Sequence, residues 1–249
     1  MSEQIATRLY MPAALTDGAD VVLSAAQAHR LRNVLRLGSG AAVAAFNARD
    51  GEWRGMVTEL GRNAGALTIT ERLRVPEPES DLWLLFAPVK RTRLDWLVEK
   101  ATELGVTALL PVWTARTQAE RINLERLSAL AIAAAEQSER LSIPELRAPK
   151  QLDRLLADWP AQRPLLVCDE TGSGHPIAEV LAGSPPGAAA FMIGPEGGFD
   201  ARELDALGKL PIVTRVGLGP RVLRAETAAL AAVAVFQAIA GDWRRARPR

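Results

Sequence analysis

Gly194-Pro195-Glu196-Gly197-Gly198-Phe199 is a glycine-rich turn set between two very different patterns. Before it, Ala189 to Ile193 is a short apolar run of strand character. After it, Asp200-Ala-Arg-Glu203 has the spacing of a capping box, so a helix is expected to start there. The arrangement recurs further along. Pro211 to Val216 is rich in β-branched residues, ends at Gly217 and Gly219, and leads through Leu218-Gly-Pro-Arg-Val-Leu-Arg-Ala-Glu-Thr-Ala228 into an alanine-rich helical stretch from Glu226 to Ala240. Two strand-to-helix turns of this kind are able to share one pocket; the plainer reading is that they only connect strands to helices.

The contents of such a pocket narrow by exclusion. A phosphate loop needs G-x-x-x-x-G-K-[ST] and a dinucleotide turn needs G-x-G-x-x-G. Neither is present: Gly217-Leu-Gly219 fails at the third glycine, and Gly172-Ser-Gly174 is too short a match to carry weight.

Elsewhere in the α/β half, Leu82 to Pro88, Ala108 to Val112 and Leu165 to Cys168 join Ala189 to Ile193 and Ile212 to Val216 as apolar runs alternating with helical patterns. That alternation predicts a parallel sheet covered by helices. Val75-Pro-Glu-Pro-Glu-Ser80 breaks both strand and helix, which predicts a domain boundary and two domains, 1–75 and 76–249. Ahead of it, Val21 to Leu23, Ala41 to Phe46, Trp53 to Leu60 and Leu67 to Thr70 read as short strands, with Asp50-Gly51 as a hairpin turn, and so as a small β-barrel.

Composition sets wider limits. With 249 residues and 48% hydrophobic content the chain is able to bury a substantial core. A net charge of +1 gives no overall pull on a polyanion, so any nucleic-acid surface must come from local clusters. Such clusters occur at Lys90-Arg91-Thr-Arg93 and in a tail of Arg244, Arg245, Arg247 and Arg249, with Arg116, Arg121, Arg126 and Arg140 between them; sign alone does not separate phosphate contacts from solvated side chains. His29, Arg32 and Arg36 are spaced to share one helical face. The single cysteine, Cys168, excludes an intrachain disulfide and reads as a buried strand residue. Two histidines and one cysteine make metal catalysis a poor expectation. His175 lies near Asp169 and Ser173, but without a G-x-S-x-G turn it reads as a loop residue rather than part of a hydrolase triad. No signal peptide or membrane span is expected, which makes the cytoplasm the default location.

The paired turns I-G-P-E-G-G-F and L-G-x-R-x-L-R-x-E-T-A, with Arg8-Leu-Tyr10, His29 to Arg36, Lys100 to Val106 and Glu136-Gln-Ser-Glu-Arg140, resemble the 16S ribosomal RNA uridine-N3 methyltransferases of the SPOUT class. The match spans almost the whole chain; one departure is Ala133, where the family often has an acidic residue. The resemblance implies an α/β domain with a SPOUT-type parallel sheet tied in a trefoil knot, preceded by a PUA-like RNA-binding β-barrel, and a homodimer with no membrane or metal partner. It implies S-adenosylmethionine as cofactor, held by Ile193, Gly194, Gly197, Gly198, Leu218, Gly219 and Leu223. Arg224 becomes the candidate for stabilising charge on the target base or holding a phosphate, and Glu196 and Glu226 the candidate proton acceptors, although a carboxylate at a helix start is also a common cap. Arg8, Arg30, Arg32, Arg36, Lys90, Arg93 and Arg140 become candidate contacts to 16S RNA in the small ribosomal subunit. Related pockets serve ribose 2′-oxygens or tRNA bases, and a catalytically silent assembly factor is a further possibility on the same fold.

Overall fold

The computed structural model describes residues 4–118, 121–183 and 187–245; Arg247 and Arg249 of the expected cationic tail lie outside them. The chain divides into two units, residues 1–78 with 135–143 and residues 79–134 with 144–249.

The first unit is built on β1 (Arg8–Tyr10), β2 (Asp20–Leu23), β3 (Ala42–Asn47), β4 (Gly51–Leu60) and β5 (Gly65–Arg74), ordered β1-β3-β4-β5-β2. The β1–β3 pair is parallel and the others are antiparallel. Three register shifts between β4 and β5 add twist, and the sheet curls around Leu9, Leu31, Val43, Val57, Leu67 and Ile69. It is a curled mixed sheet with β1 and β2 at its ends; among the described residues no ladder closes it into the expected ring. Helix α1 (Ala25–His29) begins in a full capping box between Ser24 and Gln27. It continues as a π-helical turn over Arg30–Val34, where the Leu35 amide bonds the Arg30 carbonyl five residues back at 3.0 Å. Arg36 then takes φ 55°, outside the helix, so the expected shared face of His29, Arg32 and Arg36 is not formed.

The second unit contains β6 (Leu82–Phe86), α2 (Arg91–Glu103), β7 (Ala108–Trp113), α3 (Leu124–Gln137, whose last turn belongs to the first unit), β8 (Glu145–Leu146), β9 (Lys150–Gln151) and α4 (Leu152–Ala157). It continues through β10 (Leu165–Cys168), β11 (His175–Pro176), α5 (Ile177–Ala182), β12 (Ala189–Ile193), α6 (Ala201–Gly208), β13 (Val213–Gly217) and α7 (Ala225–Ile239). The sheet is ordered β11-β13-β10-β12-β6-β7-β8, and its ladders are parallel. His175 therefore sits in a short edge strand paired with Val216, not in a loop as expected.

Both faces of the sheet are covered, which explains why β10 and β12 are continuous apolar runs without alternation. Ala190 and Met192 pack with Leu152 of α4 and Leu204 and Leu207 of α6. Phe191 takes the other side, edge-on to Phe236 of α7 at 6.1 Å between ring centres. By length and composition the stretch Ala225–Arg244 would pass for a membrane span, contrary to expectation. Its place in the fold accounts for that apolarity: α7 packs against α2, α5 and β12, burying Ala229, Ala232, Val233 and Phe236.

Candidate active site

A cavity of about 690 Å³ opens where β10, β12 and β13 end, a size suited to a cofactor and a position favoured in parallel sheets. Both glycine-rich turns line it, joined by the loop after β10 and by the start of α7. Of the residues expected to hold a cofactor, Ile193, Gly194, Gly198, Leu218, Gly219 and Leu223 line this space. Gly197 is not among the lining residues; its carbonyl accepts from Arg116 Nη1 at 3.0 Å. Asp200 caps α6 with the reciprocal Glu203 bond that the sequence pattern calls for.

A third segment, the loop from Asp169 to Gly174, completes the wall, although its sequence pattern carried no expectation of a place in the site. The Asp169 carboxylate is fully shielded from solvent and accepts from the Thr171 amide at 2.9 Å and from Arg215 Nε at 2.8 Å. Burial by itself would raise its pKa, but the Thr171 amide and hydroxyl and the Arg215 guanidinium outweigh that and hold it below the usual carboxylate value. Asp169 is thus committed to Arg215 and Thr171 rather than to His175. Glu170 Oε1 accepts the Phe199 amide at 3.1 Å. Gly198, at φ 70°, is required there: a Cβ would lie 2.1 Å from that same oxygen. Gly174 is required by close approach, since a Cβ would fall 2.5 Å from the Val216 carbonyl carbon across the β11–β13 ladder. Of the sequence signals in this loop, Gly172-Ser-Gly174 and the nearness of Asp169 and Ser173 to His175, neither pointed to the cavity, because the need for Gly174 is tertiary. Cys168, at the cavity wall, is buried, and burial pushes its thiol up to about 12.

The three candidate catalytic residues differ in their surroundings. Arg224 lines the cavity, is exposed, and makes no side-chain hydrogen bond or ion pair among the described residues. Glu196, on the first turn, is ion-paired with Arg93. Glu226, on the first turn of α7, is buried; its Oε1 lies 3.5 Å from Arg93 Nε, and its Oε2 has no hydrogen-bond partner.

The candidate RNA contacts separate similarly. Arg32, Arg36 and Lys90 are exposed. Arg8 is not: its side chain is 12% exposed and lies 4.1 Å over the Phe46 ring. Its donors go to Glu52 and to the carbonyls of Ala135, Glu136 and Arg140, so the side chain is engaged within the unit rather than offered to a phosphate as expected. Arg30 pairs with Glu136, whose other oxygen accepts the Tyr10 amide at 3.1 Å. Arg140 donates to Ser142 at 3.0 Å. Three separate stretches of the family pattern, around Arg8, Arg30 and Glu136, thus meet in one ion-pair network of the first unit. Arg126, from the same basic set, pairs with Asp95.

This architecture, a curled mixed sheet followed by a parallel sheet with a glycine-walled cavity at its strand ends, is that of an RNA methyltransferase: residues 76–237 match the RNA methyltransferase domain family and residues 23–70 the RNA methyltransferase PUA domain family. The chain is 31% identical over 229 residues to the ribosomal RNA small subunit methyltransferase E of Rickettsia conorii, covering 91% of this chain and 93% of that one. It is 32% identical over 230 residues to the enzyme of that name from Synechocystis, covering 89% of this chain and 74% of the relative. The solved Neisseria gonorrhoeae ribosomal RNA small subunit methyltransferase E, bound to S-adenosyl methionine, superposes with a TM-score of 0.86 at 29% identity, covering 95% of this chain and 99% of its own. The chain belongs to the ribosomal RNA small subunit methyltransferase E family.

The cavity fits the cofactor. Leu218, Leu223 and Ile193 offer apolar wall for an adenosyl group, and Gly194 and Gly198 line the same space at buried positions where a side chain would collide with Phe199 or Glu170. Glu170 and Arg93 supply polar groups around the same space.

Proposed function

We propose that this protein methylates N3 of a uridine near the 3′ end of 16S ribosomal RNA in the small ribosomal subunit, with S-adenosylmethionine as methyl donor. The observation that carries the reading is the single cavity walled by both glycine turns, with the unpaired Arg224 on its lining. The bound cofactor supplies an electrophilic methyl group on a sulfonium. The protein's part is to hold donor and acceptor in line and to stabilise the base as it loses its proton. Uridine N3 becomes nucleophilic when its proton leaves, and the negative charge then spreads onto the ring carbonyl oxygens. This reading assigns Arg224, on the cavity lining, to those oxygens. Arg93 engages both carboxylates, but only Glu196 stands on the cavity lining, whereas Glu226 is buried with its Oε2 shielded from solvent, and this reading gives Glu196 the proton.

Arg32, Arg36 and Lys90 are the exposed cations that this reading places on RNA phosphates. The reading includes the trefoil threading of the second unit, a cytoplasmic location with the ribosomal substrate, and a homodimer. A partly exposed apolar stripe on α7, Leu230, Ala234 and Ala238 at four-residue spacing, supports the dimer.

The deciding experiment is methyl transfer from labelled S-adenosylmethionine to small ribosomal subunits lacking their modifications, with mass-spectrometric mapping of the labelled nucleoside. N3-methyluridine near the 3′ end of 16S RNA is the expected product. Label on a ribose or on tRNA would replace the acceptor, and cofactor binding without transfer would point to a silent RNA-binding role.

A further inference from the structure

We infer that Arg93 is a positioning residue that ties the Gly194–Phe199 turn to the start of α7 and so sets the shape of the cofactor cavity; the identity of the cofactor rests on the methyltransferase reading above. Arg93 belongs to neither glycine turn. It stands in the first turn of α2, and its guanidinium lines the cavity. One side of it donates to Glu196 on the first turn, and Nε lies 3.5 Å from Oε1 of Glu226 on α7. A single planar cation therefore joins three elements, an arrangement that a point-charge ammonium cannot reproduce at both carboxylates.

The Glu226 side chain is 9% exposed and its second oxygen lacks a partner, so Arg93 is the charge that compensates it among the described residues. With carboxylates on both sides, Arg93 is withdrawn from the Lys90 to Arg93 cluster as a phosphate contact. Lys90, exposed at the N-cap of α2, is left for that role.

The test is calorimetric titration of S-adenosylmethionine into the full-length parent, Glu196→Gln, Arg93→Gln, Arg93→Lys and the Arg93→Gln/Glu196→Gln double variant, alongside 16S RNA binding over a salt series. The inference predicts that Glu196→Gln and Arg93→Gln each weaken cofactor binding about fivefold, that the double variant is no weaker than Arg93→Gln alone, and that Arg93→Lys recovers only part of the loss. RNA affinity and its salt slope stay at the parent values. Unchanged cofactor affinity in Glu196→Gln, or a reduced RNA salt slope in Arg93→Gln, overturns the inference and returns Arg93 to phosphate binding. Glu196→Gln retains the Arg93–Glu226 pair, so it decides the matter even if Arg93→Gln fails to fold. A parent that binds no cofactor refutes the methyltransferase reading itself, an outcome distinct from a parent that binds and a Glu196→Gln that binds equally well.

Discussion

Glu170 Oε1 accepts the Phe199 amide at 3.1 Å and occupies the space that any side chain at position 198 would need. Two loops of the cavity are thereby fixed to each other through one carboxylate. Gly198→Ala must displace that carboxylate and also adopt φ 70°, so it is expected to lose about 2–4 kcal/mol, from backbone strain and the lost bond together. In a Glu170→Ala background the same substitution should cost only the backbone part, about 1–2 kcal/mol. Urea unfolding of the four proteins in this cycle measures the difference; additive losses would disprove the coupling.

Arg224 is cavity-lining and without a side-chain partner among the described residues, so its removal should touch chemistry more than folding. Arg224→Ala is expected to lower kcat about 10²- to 10³-fold, as for other donors aimed at developing negative charge. Stability should stay within about 0.5 kcal/mol of the parent. Single-turnover transfer combined with cofactor titration checks this, and an undiminished kcat would remove Arg224 from the mechanism.

Arg8 has the opposite character. Its substitution by Met leaves the buried Glu52 carboxylate with only the longer Arg74 contact at 3.5 Å and removes the donor to three carbonyls, so about 3 kcal/mol of stability should disappear from the first unit. Arg32→Ala and Arg36→Ala, both at exposed positions, should leave stability nearly unchanged and each reduce the salt slope of RNA binding by about one. Thermal melts and salt-dependent RNA binding separate the two classes.

Asp169 makes stability depend on acid. Its folded pKa lies below the usual carboxylate value, so the unfolded chain takes up the proton first as pH falls. Its contribution is therefore complete above that value and is lost as pH drops through the lower, folded one. Asp169→Asn should cost about 2 kcal/mol at pH 7, and the gap from parent should narrow as unfolding is followed from pH 5 towards pH 3. A gap that is constant with pH would mean that the carboxylate is not the source of the effect.

Strands buried on both faces were the most legible part of the sequence. Leu165–Cys168 and Ala189–Ile193 stand where their apolar runs end, because nothing but full burial explains such runs. The capping box at Asp200 was equally clear, since its bonds are local. Features made by long-range contact were not. The π-helical turn over Arg30–Val34 leaves no mark in residue spacing, and so moved Arg36 off the face predicted for it. Arg8 and Arg93 read as cations seeking phosphate because the carboxylates and carbonyls that occupy them come from distant parts of the chain. The Asp169–Gly174 loop matched no motif for the same reason, Gly174 being required by the backbone of β13.

Cys168 is the one sulfhydryl of the chain, and it faces the cavity. With its pKa pushed up to about 12, almost none of it exists as thiolate at neutral pH, and thiolate is the form that peroxides and alkylating agents attack. The cavity wall thus carries a sulfhydryl held in its unreactive protonated form, the opposite of the activated cysteine of a thiolate-dependent enzyme.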